Sequence, residues 1–142
     1  MTELALVGDI GGTNSRFGLV EPGTTRVAEV AVQKNDNFAS LEDSIAAYVK
    51  AKGVSGLAGA AIAVAGPVEG EVVHLTNRNW SFTRESLRKA ADARQFRLLN
   101  DFEALALALP HLDGEDVVQV GGELPQKPAV KIVLGPGTGL GM

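Results

Sequence analysis

The chain contains no cysteine in its 142 residues. A disulfide framework and a thiolate metal site are both excluded, and a reducing cytoplasm is the compartment this suits. Aromatic residues reach only 5%, while Ala, Val, Leu and Gly dominate. A sheet buried under helices needs such residues, because its central strands are apolar on both faces. Basic charge is also short: 13 Lys and Arg against 17 Asp and Glu leave a net charge of −4. No nucleic-acid partner is expected, since phosphate-backbone binding needs a basic face. A small anion stays open, because backbone N–H groups and Mg²⁺ hold phosphate without net positive charge. Long hydrophobic runs are missing as well. The best, Leu57 to Val68, contains Gly59, Gly66 and Pro67 and falls short of the ~20 residues that cross a bilayer. No membrane association is expected. The opening MTELALVGDIGG has no basic n-region and reads as a first strand, not a signal peptide.

What is present is a hydrophobic fraction of 45% with 21% charged residues, enough for one domain with a real core. Leu4 to Val7, Arg16 to Val20 and Val27 to Val32 are short strand-like runs with Gly-containing turns between them. They read as an antiparallel meander. Ser40 caps a predicted helix that carries Leu41, Ile45, Tyr48 and Val49 on one face and stops at Gly53. Gly59 to Ala65 reads as a buried strand ended by Gly66-Pro67, and Glu71 to Leu75 as another. Thr83 caps a second predicted helix running to about Arg94. Phe96 to Leu99 is a strand, and a third helix runs from Asp101 to Pro110. Val117 to Val120 and Val130 to Leu134 are further expected strands. This order predicts an α/β fold with a mixed central sheet flanked by helices. A boundary near Pro110 to Gly114 divides the chain into 1–110 and 111–142.

Three places can carry chemistry. Gly8-Asp9-Ile10-Gly11-Gly12-Thr13-Asn14 follows an apolar strand directly. Its glycines allow positive φ and leave no Cβ in the way of a phosphate. Thr13 and Asn14 add side-chain donors, and Asp9 is a hard oxygen ligand for Mg²⁺, directly or through water. A tight hairpin turn is the plainer reading of a bare Gly-Gly pair. Gly135-Pro-Gly137-Thr138-Gly139-Leu-Gly141 lacks the Lys of a Walker A loop and the spacing of a dinucleotide fingerprint, which leaves a backbone nest or a flexible turn. Asn100-Asp101 stands at a strand-to-helix junction. Asp101 reads there as a helix N-cap or as a general base at the carboxyl end of a strand. Asn100 can hydrogen-bond a polyol. The polar run Thr76-Asn77-Arg78-Asn79 ends at Trp80, the single tryptophan, and by itself reads as a surface loop. His74 and His111 lack metal-ligand spacing.

Together these strings resemble the bacterial glucokinases of the hexokinase family, in the actin-like ATPase superfamily with its ribonuclease H-like fold. LVGDIGGTNSRFGLV resembles the family's first phosphate motif and VLGPGTGLG the second. AIAVAGPVEGEVVHLTNRNWSF is similar to the strand and TNxxW segment beside the sugar site, and LLNDFEALALALP to the sugar-binding and catalytic segment. The resemblance spans the chain, and the order and spacing of the strings make it specific. It implies an ATP-dependent kinase that phosphorylates glucose at the 6-hydroxyl. Asp101 is then the base, and Asn100, Asp101 and Asn79 meet the sugar. Gly8, Asp9, Ile10, Gly11, Gly12, Thr13 and Asn14 surround the ATP phosphates, with Asp9 near Mg²⁺ through water, and Gly137, Thr138 and Gly139 meet the phosphates from a second domain. Residues 1–110 become the small actin-like ATPase domain and 111–142 the beginning of the large one. A cytoplasmic homodimer is implied for the full-length protein. A non-catalytic sugar-binding sensor and a kinase for another hexose are the rival readings. A sugar-responsive repressor is disfavoured, because the first phosphate strand begins at Leu4 and leaves no room for a DNA-binding helix-turn-helix.

Members of that family are much longer. After the second phosphate motif they supply a Glu…His pair and a further Glu for the sugar, an adenosine pocket and a C-terminal helix. The expectation is a partial chain. The purified 142-residue chain is expected to show little or no glucose-dependent ADP release, and turnover on the order of 1–100 s⁻¹, the range of kinases, would refute this.

Overall fold

A computed structural model describes residues 3–123, 128–136 and 140–141. The chain divides into two compact units, Met1–Asp101 and Phe102–Met142.

The first unit is built on a five-stranded mixed sheet. Strands β1 (Ala5–Ile10), β2 (Asn14–Val20) and β3 (Val27–Lys34) form the expected antiparallel meander. A 3₁₀ turn at Asn35–Asn37 leads to helix α1 (Leu41–Lys52). Strand β4 (Leu57–Val64) then pairs parallel with β1. The short strands β5 (Val72–His74) and β6 (Ser81–Thr83) form a separate antiparallel pair. Helix α2 (Arg84–Ala90) and strand β7 (Ala93–Asn100) follow, with β7 parallel to β4. The sheet order is β3-β2-β1-β4-β7.

Local chemistry accounts for the helix ends. The Ser40 hydroxyl accepts from the Asp43 N–H at 3.1 Å, and Gly53 closes α1 at φ +64°, a conformation that costs glycine little. Thr83 and Ser86 form a reciprocal capping box at the start of α2. That helix stops at Ala90, short of the expected Arg94, because the sheet claims the residues that follow. Ala93 pairs with Leu57, and Asp92, at φ +48°, accepts from the Leu57 N–H at 2.9 Å through its carbonyl.

Both helices supply the core. Leu6, Ile10, Phe17, Ile62 and Val64 from the sheet are buried with Leu41, Ile45, Tyr48 and Leu87 from α1 and α2. The Phe17 and Tyr48 rings meet at 5.4 Å and 37°, within the favoured range for aromatic pairs. The edge strand β3 is tied down at Glu29, where a bulge interrupts its pairing with β2 and φ is +54°. The Tyr48 hydroxyl donates to the Glu29 carbonyl at 2.8 Å, and Lys52 pairs with the Glu29 carboxylate at 2.7 Å.

In the second unit, helix α3 (Asp101–Ala108) continues into a 3₁₀ turn at Leu109–His111; only its first residue, Asp101, belongs to the first unit. Strands β8 (Gly135–Pro136) and β9 (Leu140–Gly141) pair antiparallel. A Cβ at Gly135 would stand 2.5 Å from the Phe102 ring, which would have to shift to admit it. The expected strands at Val117 to Val120 and Val130 to Leu134 do not form. Apolar composition alone does not make a strand; the backbone needs a ladder to join. Val118, Val120 and Val130 are 87%, 97% and 93% exposed, and among the described residues no strand pairs with them. No helix among the described residues is long and apolar enough to cross a membrane.

Burial raises the Tyr48 phenol above its ordinary value, and the Glu29 carboxylate adds to the shift. A raised folded value means that the neutral phenol stabilises the fold fully below about pH 10, and that this contribution disappears as pH climbs through the folded value. Tyr48→Phe is expected to cost about 0.5–1.5 kcal/mol at neutral pH through the lost hydrogen bond. Urea midpoints followed from about pH 8 to about pH 11 should fall more steeply for the parent than for the variant, and parallel curves would sink this account.

Candidate active site

The three parallel strands finish level with one another. Ile10 stands opposite Val64, and Val64 opposite Asn100. The segments that begin at Gly11, Ala65 and Asp101 therefore leave the sheet at the same end. Adjacent strands lie roughly 5 Å apart, so the first and third exits are separated by roughly 10 Å. Open α/β sheets bind ligands beyond the carboxyl ends of such strands. Asp101 is half-buried and is the first residue of α3. Asn100 shares a register row with the buried Ile10 and Val64, and its side-chain amide donates to the Gly66 carbonyl at 2.9 Å. That bond ties the loop after β4 to the strand that delivers Asp101.

The turn from β1 to β2 is held by its carbonyls. The Asn35 side-chain amide donates to the Gly11 carbonyl at 2.8 Å, and the Asn35 backbone N–H to the Thr13 carbonyl at 2.9 Å. Arg78 donates to the Gly12 carbonyl at 3.2 Å, and the Gly11 N–H to the Asn14 carbonyl at 2.9 Å. Asn35 is fully buried and accepts from the Ser15 hydroxyl at 2.6 Å. A trans peptide directs its C=O and N–H to opposite sides. Holding the Gly11 and Gly12 carbonyls on the protein therefore turns the Gly12 and Thr13 N–H groups the other way. Among the described residues those two N–H groups have no protein acceptor. Successive main-chain donors in a turn are groups that can meet an anion, and ATP phosphates fit that chemistry.

The glycines here answer different needs. Neither Gly11 nor Gly12 adopts a positive φ, contrary to the expectation that conformational freedom selects them. Space is the constraint instead. A Cβ at Gly12 would lie 3.3 Å from the Asn77 Cβ, and one at Gly11 would lie 3.2 Å from the Asn14 carbonyl oxygen. Gly8 lies within β1 on the core-facing row, where a Cβ would meet Ile62 Cδ1 at 2.7 Å and Phe17 Cδ1 at 3.0 Å. Core packing is sufficient reason for glycine there. Ile10 is also buried, so its side chain belongs to the core.

Asp9 occupies the opposite face of the sheet. Its carboxylate is 61% exposed, and its cationic neighbour is the Arg16 guanidinium at 3.8 Å. Among the described residues no cluster of three metal-ligating side chains exists. One exposed carboxylate fits Mg²⁺, which keeps several waters and is bound through one or two carboxylates plus substrate phosphates.

In the loop between β5 and β6, Asn79 is exposed, while Asn77 packs against Gly12 and borders a small pocket with Ile10, Gly11 and Arg78. Gly137, Thr138 and Gly139 lie outside the described residues. The supports missed from the sequence are Ser15, Asn35 and Arg78. A buried Asn between a strand and a helix has no local signature, and Arg78 sits in what reads as a solvated loop.

Comparison with known proteins places this geometry in a family. The family model described as Glucokinase matches residues 6–142. The chain is 44% identical over 141 residues to a glucokinase of Ralstonia nicotianae, covering 96% of this chain and 41% of that protein. It is 43% identical over 138 residues to a glucokinase of Chromobacterium violaceum, covering 96% of this chain and 39% of that one. The crystal structure of a glucokinase from an Antarctic psychrotroph superposes with a TM-score of 0.76 at 32% identity, covering 89% of this chain and 41% of the other. That likeness establishes the actin-like ATPase fold. The chain thus spans about 41% of the length of the first of these relatives.

If packing demands glycine at position 8, Gly8→Ala is expected to cost about 1–3 kcal/mol by overpacking. Ile62→Val removes the Cδ1 that the new methyl would strike. In urea unfolding, the double variant should be more stable than the sum of the two single effects predicts. Strict additivity would show that the Ile62 contact does not select Gly8.

Proposed function

The chain belongs to the glucokinase family, and on that premise we propose that the whole protein transfers the terminal phosphoryl group of ATP to the 6-hydroxyl of glucose. One observation carries the reading: a turn with two N–H donors that have no protein acceptor among the described residues, and a carboxylate at a strand-to-helix junction, leave the sheet at one end. Phosphoryl transfer is mostly positioning and charge neutralisation, so few reactive side chains are needed.

Asp101 acts as the general base. Its carboxylate takes the proton from the 6-hydroxyl as the sugar oxygen bonds to phosphorus and the bond from that phosphorus to the ADP oxygen breaks. Asn100, Asp101 and Asn79 hydrogen-bond sugar hydroxyls. The segment Gly8 to Asn14 approaches the phosphates through its main chain, with the Gly12 and Thr13 N–H groups foremost. Gly137, Thr138 and Gly139 are further phosphate contacts in this reading. Asp9 is the residue that would hold Mg²⁺. When bound, Mg²⁺ neutralises charge on the phosphate oxygens. Residues 1–110 form the first domain of this kinase, and 111–142 open the second. The whole protein is a cytoplasmic homodimer in this reading.

Asp101→Ala in the whole protein tests the assignment. Glucose-dependent ADP release should fall roughly 10²–10⁴-fold, the usual contribution of a general base, while MgATP affinity measured by calorimetry stays close to the parent's. Undiminished turnover would return Asp101 to an ordinary place in the first turn of α3. A parent that releases ADP with no hexose selectivity for glucose would overturn the substrate.

A further inference from the structure

We propose that Arg78 is a positioning residue for phosphate transfer, one that fixes the Thr13 N–H by holding the other end of the same peptide group. This rests on the reading of Gly11–Asn14 as the turn that meets the ATP phosphates.

The geometry is specific. The Arg78 Nη1 donates both to the Gly12 carbonyl at 3.2 Å and to the Asp36 carboxylate at 2.8 Å. Its guanidinium lies over the Trp80 ring, 4.7 Å from the ring centre, where a cation is attracted to an aromatic face. One side chain thus joins the β1–β2 turn, the 3₁₀ turn at Asn35–Asn37 and the β5–β6 loop. The Gly12 carbonyl and the Thr13 N–H belong to one rigid planar unit. A cation on the carbonyl holds that plane and polarises the N–H at its far end. Asn35 does the same for the preceding peptide, through the Gly11 carbonyl and the Gly12 N–H. The two N–H groups that have no protein acceptor among the described residues are therefore the partners of the two carbonyls held by these side chains.

Arg78 is mostly buried, with its side chain 19% exposed, and its Nε has no hydrogen-bond partner among the described residues. Leaving a buried donor unpaired is unfavourable. The side chain is thus placed to serve its Nη1 contacts at the expense of its Nε. The surrounding turn stays hydrogen-bonded through Asn35 without it, which makes the Gly12–Thr13 peptide the element that depends on Arg78.

The test compares Arg78→Ala and Arg78→Lys with the parent, each as the whole protein. Arg78→Lys keeps the stem and the charge and guards against simple loss of folding in Arg78→Ala. The expected result is a roughly 10–100-fold fall in kcat/KM for ATP in Arg78→Ala, the size of effect that follows from misplacing a binding group by about an ångström. A smaller fall is expected in Arg78→Lys, and the KM for glucose should stay within about twofold in both, because the lost contact is to the phosphates. Added guanidinium ion should restore part of the ATP effect in Arg78→Ala. In ¹H–¹⁵N spectra of the ligand-free protein, the Thr13 amide should shift more than the Gly12 amide. Unchanged ATP parameters, or ATP and glucose parameters falling together with thermal stability and no guanidinium rescue, would overturn the proposal. A parent that binds no MgATP in calorimetry would overturn the kinase reading itself, and this proposal with it. Parent binding matched by Arg78→Ala would overturn this proposal alone.

Discussion

The rigid trans peptide is the constraint on which the candidate site depends. Two successive peptide groups, Gly11–Gly12 and Gly12–Thr13, have their carbonyls engaged by Asn35 and Arg78. Each N–H must then face the opposite way. An anion site of this kind needs no net positive charge, so the chain's net charge of −4 does not count against the proposed phosphate contact. It also explains a fully buried asparagine. Asn35 engages its side-chain oxygen with Ser15, its amide with Gly11, and its backbone N–H with Thr13. Buried polar groups are tolerated when satisfied in this way.

The sheet supplies the second half of the arrangement. Parallel pairing of β1, β4 and β7 with Ile10, Val64 and Asn100 in one row makes three chain segments emerge together. The core residues enforce that register, because a shift by one residue would turn Leu6, Ile10, Ile62 and Val64 out of the core. Site geometry and core packing are therefore one constraint. Gly8 belongs to the packing side of it, since its missing Cβ admits Phe17 and Ile62. Gly11 and Gly12 belong to the turn, where a Cβ would press closely on neighbouring atoms.

Much of the fold was legible because its signals are local. The meander followed from short apolar runs and Gly turns. Helix α1 followed from Ser40, the apolar face and Gly53, and all three work as expected. The junction after β7 was legible from the step between apolar strand and apolar helix at Asn100-Asp101. The misreadings arose where partners decide. Ala91 to Arg94 has ordinary helix formers, yet β4 draws Ala93 and its neighbours into the sheet. Val117 to Val120 has strand composition, yet it pairs with no strand among the described residues. The supports of the turn were illegible for the same reason. Arg78 reaches Gly12 across 66 positions of sequence, and Asn35 reaches Gly11 across 24; no window of periodicity or propensity spans such distances.

The sequence by itself determined the meander, helix α1, the α/β class and the order of the motifs that mark the family, because caps, turns and hydrophobic periodicity act between neighbours in the chain. Only the tertiary structure decided which donors of the Gly-Gly turn are available, which glycine serves the core, and that the turn and Asp101 share one end of the sheet. Those outcomes depend on hydrogen bonds and strand register between distant segments, and such contacts exist only once the chain has closed on itself.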